Sequence, residues 1–239
     1  MSVFQFKRFA VDQSGCAMRI NTDGVLLGAM VAAHSPKRIL DVGTGTGVIS
    51  LMLAQRFPAA TVDAVEIDVS AADTARRNFE DSPFAARLTS RAVSLVDFEP
   101  EGPYDVIVSN PPFFLRSLHN DDRRKRIARH TDMAFFDELL ARSKRWLNPK
   151  GSLQLILPPD LAGAIGRKAE REFALRVQKT IAIRSFAFQP PIRGIISLRM
   201  PVGNGIAREA EEHEFIIYER RNVYSAAYRE LLKPFFLAF

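Results

Sequence analysis

Short apolar runs alternate with helix-length amphipathic segments along most of the chain. The run Arg38–Val42 predicts a first strand, and the segment 48–57 after it predicts a helix that Pro58 ends. Further strands are predicted at 61–67, 87–93, 104–109, 152–157, 175–186, 194–200 and 214–218, and further helices at 70–80, 135–147, 161–172 and 224–232. Strands that alternate with helices are typical of a mostly parallel sheet covered on both faces. The pattern predicts one doubly wound α/β domain over residues 1–239, with residues 1–36 as an N-terminal extension.

Composition narrows the class of protein without defining its chemistry. The 239 residues are 47% hydrophobic and 25% charged, as in ordinary globular proteins. The net charge of +6 fits a polyanionic partner, although a basic solvated surface explains it equally well. The single cysteine, Cys16, excludes an intramolecular disulfide and favours a reducing compartment. The apolar stretch 25–33 is shorter than the roughly 20 residues that span a bilayer. The N-terminus lacks the regions of a signal peptide. We therefore expect a cytoplasmic protein without membrane attachment.

A glycine-rich turn between the first strand and the first helix is the place where a nucleotide-like ligand binds in such sheets. Glycines stand at alternate positions, Gly43, Gly45 and Gly47, and Asp41 opens the turn. This spacing differs from the dinucleotide fingerprint, and no Gly-Lys-Ser/Thr end makes a phosphate loop. The Asp41 carboxylate would repel a pyrophosphate but suits a cationic ligand. S-adenosylmethionine has a sulfonium, an α-ammonium group and no phosphate, so it is the predicted cofactor.

Acidic residues follow the next two predicted strands. Glu66 ends the second strand, where a carboxylate can accept hydrogen bonds from both ribose hydroxyls of a nucleoside. Asp68 is expected to cap the next helix. Asp97, after the third strand, could accept from the adenine amino group, although Asp97 alone is better explained as a surface or capping carboxylate. No metal site is predicted.

The stretch Asn110-Pro111-Pro112-Phe113 follows the fourth predicted strand. Neither proline can donate a backbone hydrogen bond, and each restrains its predecessor to extended geometry, so the turn is stiff. The Asn110 side-chain oxygen and the Pro111 carbonyl can accept the two N–H groups of an exocyclic amine, while Phe113 stacks on the base.

The adenine amine is a poor nucleophile, because its lone pair is delocalised into the ring. The proline turn would make this amine more reactive. Two acceptors release this lone pair toward a sulfonium methyl, so catalysis consists mainly of alignment and of hydrogen bonds that strengthen in the transition state. The alternative interpretation is a rigid loop around an ordinary Asn-Pro turn.

These residues resemble the class I S-adenosylmethionine-dependent methyltransferases with an Asn-Pro-Pro-Phe/Tyr motif, in particular the bacterial tRNA1(Val) adenine-N6 methyltransferase family. The features that carry the resemblance are Asn-Thr-Asp-Gly-Val-Leu-Leu-Gly at 21–28, the proline turn with Ala-Arg-His-Thr at 128–131 after it, and Tyr-Ser-Ala-Ala-Tyr-Arg-Glu-Leu-Leu at 224–232. Ser225 stands where the family pattern leads us to expect threonine, a mild departure.

The resemblance implies a Rossmann-like, seven-stranded sheet whose last strand runs antiparallel. It also implies methylation of the amino nitrogen of the adenosine beside the anticodon of a valine tRNA. Carried over to this chain, the roles are Asn110, Pro111 and Phe113 for the target base, Glu66 for the cofactor ribose, Asp97 for its adenine, and Thr22 and Asp23 for closure over its methionine end.

A strongly basic connection is predicted over residues 114–131, directly after the proline turn. Its cationic residues are Arg116, Arg123, Arg124, Lys125, Arg126 and Arg129. A run of charge is usually a solvated face. Its position beside the predicted pocket favours contact with RNA phosphates instead. His130, in the same stretch, is expected to be structural.

Other readings of the same motifs stay open. The proline turn also suits an enzyme that methylates guanine N2 in ribosomal RNA or glutamine in release factors, although glutamine-modifying relatives usually carry an extra N-terminal helical domain. A non-catalytic RNA-binding module that keeps the fold as a scaffold is a further alternative. A monomer is compatible with the sequence, which does not determine the oligomeric state.

Overall fold

The computed structural model describes residues 3–112, 122–201 and 209–239, with the backbone alone for residues 122–132. The strands in these ranges are β1 (Val3–Gln5), β2 (Ala10–Asp12), β3 (Arg38–Val42), β4 (Thr61–Glu66), β5 (Leu88–Ala92), β6 (Tyr104–Ser109), β7 (Leu147–Leu157), β8 (Arg176–Arg184), β9 (Arg193–Arg199), β10 (Glu211–Ile216), β11 (Tyr218–Arg220) and β12 (Val223–Tyr224). The helices are α1 (Thr22–Met30), α2 (Val48–Arg56), α3 (Val69–Glu80), α4 (Asp122–Trp146), α5 (Pro159–Phe173) and α6 (Ala226–Leu232).

The described strands build one large sheet of eight strands in the order β10-β8-β9-β7-β6-β3-β4-β5. Strands β3 to β7 pair in parallel, and β9 runs antiparallel between β7 and β8. The doubly wound, mostly parallel, Rossmann-like sheet predicted from the sequence is confirmed. The expected number of seven strands needs a correction, because β10 pairs in parallel with β8 and covers what would otherwise be an open edge. The antiparallel strand is therefore the seventh strand of this sheet in chain order but not its last.

The central strands are apolar on both faces, as parallel strands covered by helices must be. Successive residues of β3 enter opposite cores: Ile39 packs with α1, α2, α3 and α6, whereas Leu40 packs with α4 and α5. The same alternation separates Val106 from Ile107 in β6. Because side chains alternate across a strand, this two-sided burial fixes the register of the central strands.

The N-terminal extension packs into the domain and reaches the edge where the ligand site is expected. Phe6, Phe9 and Val11 of the β1–β2 hairpin are buried in the core. Helix α1 packs against α2 and begins at a side-chain cap, since Asn21 Oδ1 accepts from the Gly24 N–H at 2.9 Å. At its other end, Gln154 of β7 accepts from the Ala32 N–H at 3.0 Å and donates to the Ala32 carbonyl at 2.8 Å.

The prediction that residues 114–131 form a connection without a helix is wrong in part. Helix α4 begins at Asp122 rather than near residue 135. The segment lacks an apolar stripe, which is why it reads as a loop from the sequence. Arginine and lysine nevertheless have high helix propensity, so a polar segment can extend a helix that packs further along. The side chains of Arg123, Arg124, Lys125, Arg126 and Arg129 and the whole of Arg116 lie outside the described residues.

Two predicted turns have different outcomes. The turn expected at 148–151 lies inside the bounds of β7, where the pairing register jumps from Tyr104 opposite Leu147 to Val106 opposite Ser152. The extra residues therefore leave the ladder as a bulge-like excursion. The turn expected at 203–205 lies outside the described residues.

Replacing Gln154 with methionine tests how α1 is held on the sheet. The variant keeps the volume of the buried side chain but removes both hydrogen bonds to the Ala32 backbone and the one to Ser152 Oγ. We expect the free energy of unfolding, measured by denaturant titration, to fall by about 1–3 kcal/mol. Gln178→Met, at an exposed position of β8, is the control and should change it by less than about 0.5 kcal/mol. Equal stability of the two variants would contradict the conclusion that Gln154 holds the end of α1 on the sheet.

Candidate functional site

The carboxyl ends of β3, β4 and β6 meet at one edge of the sheet. Val42 lies opposite Val65 of β4 and Ser109 of β6, so Glu66 and Asn110 each follow one residue beyond this level. The Ser109 hydroxyl donates to the Val42 carbonyl at 2.8 Å and joins β6 to β3 where both strands end. In open parallel sheets, ligands bind outside the carboxyl ends of the strands. The predicted cofactor and base residues therefore share the expected edge.

The glycine turn has the backbone geometry that its sequence predicts. Gly43, Gly45 and Gly47 have φ values of 71°, 55° and 80°, which L-residues with a Cβ rarely adopt. A Cβ added at Gly43 or Gly45 would meet no atom within 4 Å, so this part of the turn borders open space. A Cβ at Gly47 would lie 2.5 Å from the Phe79 ring. Gly47 thus permits close packing against α3, while Gly43 and Gly45 leave the backbone open to a ligand.

Asp41 is completely buried beneath this turn. Its Oδ2 accepts hydrogen bonds from the hydroxyls of Thr44 and Ser50, both at 2.7 Å. Its Oδ1 is buried and has no hydrogen-bond partner among the described residues. Burial raises the pKa of Asp41 to about 6, and the nearby Glu66 charge adds to this effect while the two hydroxyls oppose it. An unpaired buried acceptor is costly, so a cationic donor at Oδ1 would stabilise the carboxylate.

Glu66 connects the glycine turn to the start of α3. Its Oε2 accepts from the Gly45 N–H at 3.0 Å, and its Oε1 accepts from the Asp68 N–H at 3.1 Å. Asp68 caps α3 as predicted, because its Oδ1 accepts from the Ala71 N–H at 2.9 Å. Each Glu66 oxygen keeps a second lone pair for a ligand hydroxyl.

Asp97 follows β5 at the same end of the sheet and is exposed. Its Oδ2 accepts from the Ser94 hydroxyl at 2.6 Å, and the Ser94 hydroxyl accepts from the Asp97 N–H at 3.1 Å. This local pairing stabilises the turn, as a capping carboxylate does, and leaves one carboxylate oxygen for another donor.

The first turn of α1 reaches the proline turn. A Cβ added at Gly24 would lie 3.5 Å from Asn110 Nδ2, and 3.7 Å from the capping oxygen of Asn21. Thr22 begins this helix, and Asp23 forms an ion pair with Arg193 of β9. Arg193 was not singled out from the sequence, since 170 residues separate it from Asp23 and no motif includes it.

Asn110 is half-buried and Pro111 is buried. Within the described part of the chain, the Asn110 side chain makes no hydrogen bond, so its amide is available to a ligand. Phe113, expected to stack on the base, lies outside the described residues, and its role stays a prediction.

Neither a metal-binding cluster nor a membrane-spanning helix is found in the residues that the structure describes. The described residues hold no group of three or more His, Cys, Asp or Glu side chains that could bind a metal ion. None of the helices in those residues combines the length and the apolar character needed to cross a membrane.

Residues 16–164 match the family model described as the methyltransferase small domain. The chain belongs to this methyltransferase family. Family members similar to it over the full length include the tRNA1(Val) (adenine(37)-N6)-methyltransferase of Pedobacter heparinus, 48% identical over 100% of this chain and 99% of the relative. The enzyme of the same name from Porphyromonas gingivalis is 41% identical over 98% of this chain and 94% of its own length.

A solved structure supports the assignment of the fold to the same class. The predicted O-methyltransferase Atu636 from Agrobacterium tumefaciens superposes with a TM-score of 0.65 at 18% identity, over 89% of this chain and 96% of that one. At this identity the likeness concerns the fold alone. The resemblance to a methyltransferase family stated from the sequence is confirmed by the family match and the relatives.

The titration of Asp41 gives a test of the site without any ligand. The folded state binds the Asp41 proton more tightly than the unfolded state, because the folded pKa is about 6 against an ordinary value of 3.8. Ionisation of Asp41 therefore lowers stability as the pH rises through this interval. We expect the free energy of unfolding of the native protein, minus that of Asp41→Asn, to decrease by about 2–3 kcal/mol between about pH 4 and pH 7.

Asp105→Asn provides a control of opposite sign. Partial burial disfavours the charged form of Asp105, but hydrogen bonds from the backbone N–H groups of Lys37 and Arg38 and from Asn148 lower its pKa overall. The native protein should therefore lose stability relative to this variant as the pH falls through the acidic range. A difference for Asp41→Asn that does not change with pH would show that Asp41 ionises normally.

Proposed function

We propose that this chain is an S-adenosylmethionine-dependent tRNA methyltransferase that modifies N6 of adenine 37 in tRNA1(Val). The observation that carries the proposal is the Asn110 amide at the end of β6, which has no hydrogen-bond partner among the described residues, together with the buried Asp41 of the neighbouring strand β3. The substrate is inferred from relatives of that name, which match this chain over its full length at up to 48% identity. The proposed substrate places the enzyme in the cytoplasm.

The residues at the sheet edge fit S-adenosylmethionine. The unpaired Oδ1 of Asp41 suits an ammonium group, and the open space at Gly43 and Gly45 lets the backbone approach the ligand. Glu66 would accept from the ribose hydroxyls, and Asp97 from the adenine amino group. Thr22 and Asp23 would cover the methionine end, with Asp23 held by Arg193. When bound, the cofactor supplies an electrophilic methyl group.

The protein contributes to catalysis mainly by aligning the target amine. Asn110 Oδ1 and the Pro111 carbonyl accept the two N–H groups of adenine N6, which favours release of the nitrogen lone pair. Phe113 stacks on the base and fixes its plane. The hydrogen bond to Asn110 strengthens as positive charge develops on N6 in the transition state, so it lowers the barrier rather than only improving binding. No strongly basic side chain is required, because the amine loses its proton only after it has become acidic.

Basic residues beyond the proline turn would meet the RNA backbone. Arg123, Arg124, Lys125, Arg126 and Arg129 occupy the first turns of α4, and Arg116 precedes them in the sequence. Lysine and arginine at such a place neutralise phosphates and release counterions, which gives affinity that depends on salt and not on sequence. The cluster therefore serves tRNA binding rather than recognition of the base.

Asn110→Ala tests the mechanism. The variant loses the side-chain acceptor for N6 but leaves the cofactor residues intact, so kcat for methylation of a tRNA1(Val) transcript should fall by at least about 100-fold. Binding of S-adenosylmethionine, measured by calorimetry, should stay unchanged. Gln178→Ala, which removes an amide from the exposed part of β8, is the control for both measurements. Methylation at the native rate by Asn110→Ala would overturn the mechanism, whereas failure of the native protein to bind the cofactor would favour an RNA-binding scaffold.

Reversing charge in the basic cluster tests the proposed RNA contact. The double variant Arg124→Glu/Arg126→Glu should bind the tRNA transcript more weakly and bind S-adenosylmethionine normally. The slope of log affinity against log salt concentration should become shallower by about 1.5–2, because two phosphate contacts are lost. The matched control is Lys144→Glu/Arg145→Glu, at exposed positions in the last turn of the same helix and about 30 Å along its axis. Equal salt dependence of the two double variants would place the RNA elsewhere.

A further inference from the structure

Five aromatic rings form a continuous stack beyond the carboxyl end of β8. We name this stack the aromatic ladder; its members, in spatial order, are Phe188, Phe186, Tyr218, Tyr224 and Tyr228. Neighbouring ring centroids lie 5.6, 5.6, 5.0 and 4.6 Å apart, with interplanar angles of 18°, 33°, 21° and 7°. Three of these pairs are stacked and the pair of Phe186 with Tyr218 is tilted. This arrangement leaves the face of the terminal ring, Phe188, available for one more planar group.

The two ends of the ladder differ in exposure. Tyr228 belongs to α6 and is buried in the core, whereas Phe188 is 83% exposed. A single exposed hydrophobic residue is ordinary on a protein surface. Phe188 differs from such a residue, because the rings between it and the core hold its ring in position.

Three hydrogen bonds hold the turn that carries Phe188. The Gln189 N–H donates to the Phe186 carbonyl at 3.0 Å, and Arg184 Nη1 donates to the Gln189 carbonyl at 2.6 Å. The Tyr218 N–H donates to the Ser185 carbonyl at 2.9 Å, which fixes the turn to the β11–β12 hairpin. A ring presented by such a turn loses little conformational entropy when a ligand stacks on it.

The ladder lies near the proposed methyl-transfer site. Strands β7 and β9 separate β6 from β8, so Asn110 and the end of β8 are about 14 Å apart across the sheet. A cavity of about 390 Å³ bridges part of this distance; it is lined by Thr22 and Asp23 of α1, by Arg193, and by Ser185 and Tyr218 of the ladder region. Stacked RNA advances about 3.4 Å per nucleotide, so the separation corresponds to a few nucleotides.

Cations beside the ladder are free to meet phosphates. Arg220 and Arg221 are exposed in the β11–β12 hairpin, next to Tyr218 and Tyr224. Neither arginine has an ion-pair partner within the ranges that the structure describes. Exposed aromatic rings interleaved with unpaired arginines are the surface chemistry of proteins that bind single-stranded RNA.

We propose that the aromatic ladder is a stacking platform for an unpaired nucleotide of the RNA substrate that flanks the target adenosine. Phe188 stacks on the base, Phe186 and Tyr218 support it, and Arg220 and Arg221 bind the adjoining phosphates. The inference rests on the proposed function, since it assumes that RNA enters the site at Asn110. It adds a second RNA contact on the opposite side of β6 from the glycine turn.

Phe188→Ala tests the platform directly. Loss of one stacked base should raise the KM for a tRNA1(Val) transcript by about 5- to 100-fold, with kcat and the affinity for S-adenosylmethionine unchanged. Phe188→Trp keeps a stacking face and should restore the native KM. Leu237→Ala, which truncates a side chain that is 65% exposed elsewhere on the surface, is the control and should leave the KM unchanged.

A binding measurement without methyl transfer separates the platform from the proposed reaction. The native protein and Phe188→Ala are titrated with a single-stranded oligoadenylate of about 12 nucleotides and with the same sequence in a duplex. Weaker binding of the single strand alone by the variant supports the platform, even if the native protein methylates no tRNA and the proposed function fails. Equal binding by both proteins overturns the platform while leaving the methyltransferase activity untouched. A change of oligomeric state in Phe188→Ala, seen by sedimentation without loss of RNA affinity, would also overturn it and mark the ladder as a protein contact.

Discussion

The parallel pairing of β3 with β6 is the constraint on which the site depends. Both strands are buried on their two faces, so the alternation of Ile39 with Leu40 and of Val106 with Ile107 permits one register only. That register sets Val42 opposite Ser109, and the Ser109 hydroxyl closes the pair at its carboxyl end. Asp41 and Asn110, 69 positions apart in the sequence, are neighbours across the sheet edge because the core below them tolerates no slip. The residues proposed to hold the cofactor and those proposed to hold the target base therefore stand on one structural unit.

The paired strands β3 and β6 carry groups that lower the stability of the folded protein. Asp41 has a buried oxygen that finds no partner in the part of the chain that the structure describes, and the glycine turn uses left-handed backbone at three positions. Unsatisfied polar groups and unusual backbone conformations cluster at functional sites, where surrounding structure holds them in place. Thr44 and Ser50 offset part of the cost by donating to the other Asp41 oxygen. What remains is one buried carboxylate oxygen without a partner among the described residues, and the proposal of a cationic ligand starts from this oxygen.

The sequence predicts the βα framework well, because buried parallel strands and amphipathic helices each leave a periodic signal. The placement of Asp41, Glu66 and Asn110 at strand ends follows from the same signal, while their roles stay predictions; the cap at Asp68 follows from its place before a helix. Residues that act through long-range contacts leave no such signal: Arg193 pairs with Asp23, and Gln154 holds the end of α1, only because the fold brings them together. The sequence does not predict the start of α4 for a related reason, since a helix stabilised by packing of its later turns needs no apolar pattern in its first turns. The strand β10 completes an edge that the family pattern alone does not include.

Helix α1 is where the separate parts of the site meet. Gly24 in its first turn adjoins the Asn110 amide, its Asp23 pairs with Arg193 at the start of β9, and Gln154 of β7 holds the segment after its last turn. Arg193 in turn lines the cavity that leads to Tyr218 and the aromatic ladder. The ion pair between Arg193 and Asp23 thus joins this cavity to the first turn of α1. Because α1 adjoins Asn110 at Gly24 and carries this ion pair at Asp23, one short helix connects the end of β6 to the cavity beside the aromatic ladder.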